Sequence, residues 1–217
     1  MKSFAVLTSY LKERLRQPLP GLEAQIKLAP VNRIKDLKNV TGPLDARESA
    51  VLALLFPYKN KDVGILLIKR TVDGSVHSGQ ISFPGGKKED CDPDLTATAL
   101  RETYEETGIP PENVTVLGTL SKIYIHPSNF NVFPYVGYID YEPEVSANSE
   151  VEKPLKIPIS ELLDPIFPVN KEITGKDGNI YSVPCYYIQN EIIWGATAMM
   201  LSELLAIIPE QLPSSQK

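Results

Sequence analysis

The sequence predicts a layered α/β domain, and three observations carry that expectation. Short apolar runs rich in β-branched residues alternate with stretches of helical periodicity, the pattern of helices laid over a sheet. The 217 residues are 42% hydrophobic and 23% charged, which is enough to bury one sizeable core. No internal repeat or low-complexity linker divides the chain, so a single domain is expected.

The elements follow in order. Phe4, Leu7, Leu11 and Leu15 recur at steps of three and four, which predicts a helix over 4–16. Pro18 and Gly21 place a loop after it. Residues 50–58 and 63–69 are apolar runs joined by the polar turn at Lys59 and Asp62, and they read as a strand pair. A short strand at Ile81 and Phe83 closes on Pro84-Gly85-Gly86. The clearest helix spans 94–107. Asp92 or Asp94 can cap its start, Pro93 suits its first turn, and Gly108 followed by Pro110-Pro111 stops it. Further strands are expected at 114–120, 132–139, 155–157 and 181–188, with a short helix from about Ser160 and a last helix over 196–208. Met199, Met200 and Leu204 on that last helix belong to the core by default. Residues 1–46 then form a helical extension packed on a domain of 47–217.

Composition excludes several partners. Lysine plus arginine number 22 against 27 aspartate plus glutamate, a formal net charge of −5. Nucleic acids and anionic membranes reward a basic surface, so neither is expected. No apolar run approaches the ~18 residues that span a bilayer. Cys91 and Cys185 are too few for a disulfide framework, and Lys12-Glu13-Arg14 falls where a secretion signal would need small residues. The expected location is cytoplasmic. Strand edges and the N-terminal helix are the surfaces through which a homodimer would form.

The chemistry concentrates in Arg101-Glu102-Thr103-Tyr104-Glu105-Glu106-Thr107-Gly108. On a helix, Glu102, Glu105 and Glu106 sit at i, i+3 and i+4 and project from nearly one face. Ala97, Leu100 and Tyr104 are expected on the core side. Three like charges on one face invite a cation, and Mg²⁺ is the natural candidate because it takes carboxylate oxygens and keeps exchangeable waters. A plain solvated acidic face is the alternative for Glu-x-x-Glu-Glu alone. Arg101 can pair with Glu105 at i+4, and the amides of Gly85 and Gly86 could meet a phosphate near the same place.

From Gly86 to Ile109 the chain resembles the Nudix box, whose usual form is Gly-x5-Glu-x7-Arg-Glu-(apolar)-x-Glu-Glu-x-Gly-(apolar). The tail of the box keeps its Arg, its three Glu and its Gly at Arg101, Glu102, Glu105, Glu106 and Gly108. Its first Glu position falls on Asp92, with eight residues rather than seven before Arg101, so Asp92 or Asp94 would take over that structural work. Upstream, Leu66-Leu67-Ile68-Lys69-Arg70-Thr71, Ser75, Gly79 and Phe83-Pro84-Gly85-Gly86 are similar to the signature of the coenzyme A pyrophosphatase subgroup. Ile68, Thr71 and Ser75 depart from it, and Ser75 replaces an arginine, a permanent cation. His77-Ser78-Gly79-Gln80 and 193–198 also resemble that subgroup.

The resemblance implies a Nudix fold, a mixed β-sheet sandwiched between α-helices. It implies Mg²⁺- or Mn²⁺-dependent hydrolysis of a diphosphate linkage in a nucleotide-containing small molecule, coenzyme A first. ADP-ribose, a dinucleotide or a nucleoside triphosphate is the alternative substrate, and a binding module without turnover the remote one. Glu102, Glu105 and Glu106 would hold the metal, with Glu105 or Glu106 as base and Arg101 in support. Glu150 is either a fourth ligand, the base, or a solvated loop residue. Arg70, His77, Gly85, Gly86 and Lys87 are the candidates for phosphate; His77 could equally hold the Gly79 turn, and His126 reads as structural. Lys69 and Lys88 flank the signature as further cations. Phe130, Phe133, Tyr135 and Trp194 read first as core or strand residues, one of which could stack on adenine. Gly85-Gly86-Lys87-Lys88 lacks the spacing of a Walker loop.

Overall fold

The apolar run that begins at residue 47 becomes the middle strand of a sheet whose two faces bury two separate cores. The computed structural model describes residues 2–34, 42–59, 62–74, 77–175 and 177–209; the turn tip at 60–61 and the signature position Ser75 lie outside them. The helices are α1 (Lys2–Arg14), α2 (Leu22–Gln25), α3 (Leu95–Thr107), α4 (Ile159–Leu162) and α5 (Gly195–Ile207). The first strands are β1 (Arg47–Pro57), β2 (Val63–Arg70), β3 (Ile81–Ser82), β4 (Gly85–Lys87), β5 (Thr115–Thr119) and β6 (Ile123–Ile125). After them come β7 (Phe130–Tyr138), β8 (Val151–Pro158), β9 (Val169–Thr174), β10 (Ile180–Ile188) and β11 (Glu191–Trp194).

One edge of β1 pairs in parallel with β7, from Arg47 opposite Phe130 to Leu55 opposite Tyr138. The other edge is divided. Leu54 to Pro57 pair antiparallel with β2, and the two strands then diverge. The segment 81–87 fills the fork, as β3 on β2 and β4 on β1. Two backbone bonds knit it in place, Arg70 N–H to the Gln80 carbonyl at 3.0 Å and Leu52 N–H to the Pro84 carbonyl at 2.8 Å. The glycines expected only to end a strand thus form one themselves. β8 closes the far side of β2, β5 and β6 lie on β7, and β9 to β11 form a separate antiparallel sheet.

Because successive side chains of a strand alternate in direction, β1 feeds both cores. Ala53 and Leu55 join one cluster with Leu7 and Leu11 of α1 and Met199, Leu201 and Leu204 of α5. Ala50, Leu52, Leu54 and Phe56 join the other, against Ala99 of α3. The mixed sheet is therefore sandwiched, with α1 and α5 on one face and α3 on the opposite one. The chain around α2 is tied down by Glu203 of α5. This buried carboxylate accepts from Gln25 Nε2 at 2.7 Å and from the Gly21 and Ser121 N–H groups at 3.2 Å each. No helix among the described residues is long and apolar enough to cross a membrane.

Candidate active site

The site is built where α3 lies over the fork. Asp94 caps the helix by accepting from the Ala97 N–H at 2.8 Å, and Gly108 ends it in the left-handed conformation with φ 74°. Beneath α3, β4 needs its glycines for want of room. A Cβ on Gly85, whose φ is 150°, would run into the backbone of Ala50 and Val51; one on Gly86 would run into the Glu102 carboxylate. The helix carboxylate and the strand backbone are in direct contact.

The helix turns differently from the expectation. Thr98, Ala99, Thr103 and Glu106 are among its buried residues, while Tyr104, expected in the core, is 51% exposed. Apolar residues alone point to a different inner face from the one that a carboxylate and two threonines occupy. Thr103 Oγ1 satisfies itself on the Ala99 carbonyl at 2.7 Å.

Arg101 organises the outer side. Its Nε and Nη2 each donate to the Asp92 carboxylate at 2.9 Å, a forked pair that Thr98 Oγ1 and the Glu89 N–H complete at 2.9 Å each. Asp92, at the first Glu position of the box, is thus the aspartate that pairs with Arg101, while Asp94 caps the helix. The guanidinium holds the buried Asp92 carboxyl well below the usual carboxylate range, and the Arg101 pKa is raised in return. The remaining Nη1 donates to Glu102 at 3.0 Å and Glu105 at 3.1 Å, and Nη2 also reaches the Lys87 carbonyl at 3.1 Å.

The inner side belongs to Glu106, whose side chain is only 1% exposed. Its Oε2 accepts from the Gly85 N–H at 2.8 Å and its Oε1 from Arg70 Nη1 at 3.0 Å. This carboxyl is pushed up to about 7, chiefly by burial; Gly85 and Arg70 pull against that rise, and the charges of Glu102 and Glu150 add to it. Burial also raises Glu102, countered by Arg101 and reinforced by Glu105 and Glu150. Glu150 sits in a loop whose Asn148 donates to the carbonyls of Glu106 and Glu105, at 3.0 and 3.4 Å.

The remaining sequence candidates are placed as follows. Arg70 and the Gly85 amide, expected near phosphate, are both directed at Glu106. His77 lies between Gln80 Oε1 and Ser128 Oγ, 3.1 Å from each, which favours its turn-holding role. Lys87 is exposed and lends its carbonyl to Arg101. Lys69 pairs with Glu152 at 3.0 Å and Glu191 at 3.6 Å, away from α3. His126 packs edge-on to Tyr124. Phe130, Phe133, Tyr135 and Trp194 are half-buried strand residues, with the Arg47 guanidinium 4.1 Å from the Phe130 ring centre. Sequence reasoning does not find the Arg70–Glu106 pair or Asn148. Only the Asx turn at Asn148 leaves a sequence trace, as a polar residue two positions before Glu150.

The donor set suits a hard divalent cation, being carboxylate oxygen throughout, with mutual repulsion that a cation would relieve. Among the described residues no three acidic, His or Cys side chains converge on one point, and the arginines engage the α3 carboxylates. The fit is one of donor chemistry.

The family model described as NUDIX domain matches residues 46–174. A protein named "Uncharacterized Nudix hydrolase NudL" from Cronobacter sakazakii is 35% identical over 171 residues, covering 77% of this chain and 86% of that one. Its namesake from Pectobacterium atrosepticum is 33% identical over 168 residues, covering 76% and 84%. Among solved structures, a MutT/nudix family protein from Enterococcus faecalis aligns with TM-score 0.48 and 16% identity, over 86% of this chain and 70% of that one. RenU of M. smegmatis, a Nudix hydrolase, aligns with TM-score 0.47 and 20% identity, over 55% and 74%. With the box on α3, the glycine strand beneath it and a family match over most of the chain, the protein belongs to the Nudix hydrolase family.

Proposed function

We propose that this Nudix hydrolase cleaves the diphosphate linkage of coenzyme A or its acyl derivatives, giving 3′,5′-ADP and (acyl-)4′-phosphopantetheine, in the cytoplasm. The observation that carries the reading is how the two sequence signatures meet. Arg70 and Gly85, from the segment similar to the coenzyme A subgroup, both bind Glu106 of the Nudix box. The subgroup-like segment thus builds the floor of the hydrolytic site. In this reading 1–46 is a helical extension on a catalytic domain of 47–217.

Glu102, Glu105 and Glu106 would hold Mg²⁺ or Mn²⁺, with Glu150 beside them. When bound, the cation supplies charge neutralisation at phosphate oxygens and a water of lowered pKa. The chain's own groups do the rest. Arg101 orients Glu102 and Glu105, and Gly86 lets the Glu102 carboxylate rest on the strand. Glu105 is the more accessible of the two candidates for the base. Its side chain is 50% exposed and touches Arg101 through one oxygen, whereas both oxygens of Glu106 accept hydrogen bonds.

Product analysis with Mg²⁺ or Mn²⁺ over coenzyme A, ADP-ribose, NADH and nucleoside triphosphates tests the substrate. Coenzyme A should give the highest kcat/KM. A strong preference for another member would move the assignment to the alternative that Ser75, in place of an arginine, favours.

A further inference from the structure

We propose that Asn148 is a positioning residue that clips the Glu150 loop to the last turn of α3, so that cation binding by the α3 carboxylates depends on it. The inference rests on the metal-site reading above. Asn148 uses both ends of its amide, and each end serves a different element. Its Nδ2 donates to the Glu106 carbonyl at 3.0 Å and the Glu105 carbonyl at 3.4 Å. These belong to the last helical turn, where carbonyls lack an intrahelical donor. Its Oδ1 accepts from the Glu150 and Val151 N–H groups at 2.9 and 2.8 Å. The Asn148 N–H in turn donates to the Val151 carbonyl at 2.9 Å, and the Glu150 carbonyl accepts from Thr71 N–H at 3.0 Å.

Glu150 is thereby pinned on both sides, by β2's continuation at Thr71 and by α3 through Asn148. Its charge is near enough to act on both Glu102 and Glu106. Neither aspartate nor serine can replace the clip. Aspartate has no donor for the helix carbonyls, and serine can accept within the loop but is too short to bridge to α3. Groups that orient first ligands without touching the metal typically change affinity 10- to 100-fold when removed.

The test is Mn²⁺ titration followed by electron paramagnetic resonance of the free ion, with no substrate present. The proteins are wild type, Asn148→Ala, Asn148→Ser, Glu150→Gln and the Asn148→Ala/Glu150→Gln double variant, each checked by urea unfolding in chelator. Both Asn148 variants should weaken Mn²⁺ about tenfold, as should Glu150→Gln, and the double variant should be no weaker than Glu150→Gln alone. Wild-type affinity in Asn148→Ser overturns the proposal, as does a double variant whose loss is the product of the two single losses. A loss in Asn148→Ala without one in Glu150→Gln also overturns it, since the effect would not run through Glu150. Should wild type fail to bind Mn²⁺, or a Glu102→Gln/Glu105→Gln/Glu106→Gln protein bind it normally, the metal-site reading itself falls and takes this inference with it.

Discussion

Replacing Glu106 by glutamine should change how stability depends on pH more than it changes stability at any one pH. The Glu106 carboxyl is pushed from 4.5 to about 7 in the folded chain. A raised carboxyl pKa means the folded state holds its proton where the unfolded state has released it. The favourable contribution is therefore fully present below pH 4.5 and is lost as pH rises through 7. At about 1.4 kcal/mol per pH unit, the loss across that window is on the order of 3 kcal/mol. Glutamine keeps the shape and stays neutral, so it removes the slope.

Urea unfolding in chelator at steps between pH 5 and 8 reads this directly as the free energy extrapolated to water. Wild type should weaken by about 3 kcal/mol more than Glu106→Gln over the range, with m unchanged. Mn²⁺ added at pH 8 should restore stability to wild type and much less to the variant, by linkage of binding to folding. Parallel pH dependences in the two proteins would overturn this expectation, because they would mean that Glu106 titrates alike folded and unfolded.

Three further outcomes follow from the same network. Arg101→Ala leaves the Asp92 carboxylate buried without its fork, and urea unfolding at pH 7 should show a loss of about 3–5 kcal/mol; Arg101→Lys, unable to fork, should recover only part of it. Asp92 sits below the usual carboxylate range, so the stability it adds is complete above about pH 4 and disappears as pH falls through its depressed value. An Asp92→Asn protein should accordingly lose less stability than wild type between pH 5 and 2. Gly86→Ala pushes a methyl into the Glu102 carboxylate, which should cost about 1–3 kcal/mol in unfolding while Mn²⁺ affinity falls about tenfold in titration.

What can be read from the sequence is local. Asp94 and Gly108 bound α3 because capping chemistry depends on neighbours within four residues. The runs that become β1 and β2 are fully apolar over most of their length, and they are short enough to see in isolation. β4 escapes because nothing in two glycines says strand; it is one because the divergence of β1 and β2 leaves a gap that only backbone can fill. β9 escapes for a related reason, since its alternation of half-buried and exposed residues is written in mostly polar side chains. Tyr104 is misplaced because hydropathy assigns a tyrosine inward and a glutamate outward. The choice is made by Gly85 and Arg70, which come from elsewhere in the chain to meet Glu106. The three carboxylates are legible as a set, and their unequal environments are not.

That inequality bears on why the residues are there. Glu105, Glu102 and Glu106 run from half-exposed to fully buried along one helix, and each deeper one has a higher desolvation penalty. A buried ion pair such as Arg70–Glu106 is weak evidence for stability, since well-packed apolar residues of similar volume often do as well or better. The raised Glu106 pKa leads to the same point from the other side, because the ionised carboxylate opposes folding at neutral pH. A leucine at 106 would pack beneath α3 without that penalty, but it could neither accept from Gly85 nor present an oxygen to a cation. The fold thus tolerates at 106 a charge that its own stability disfavours, and in the proposed reading binding a divalent cation is the role that turns this charge to advantage.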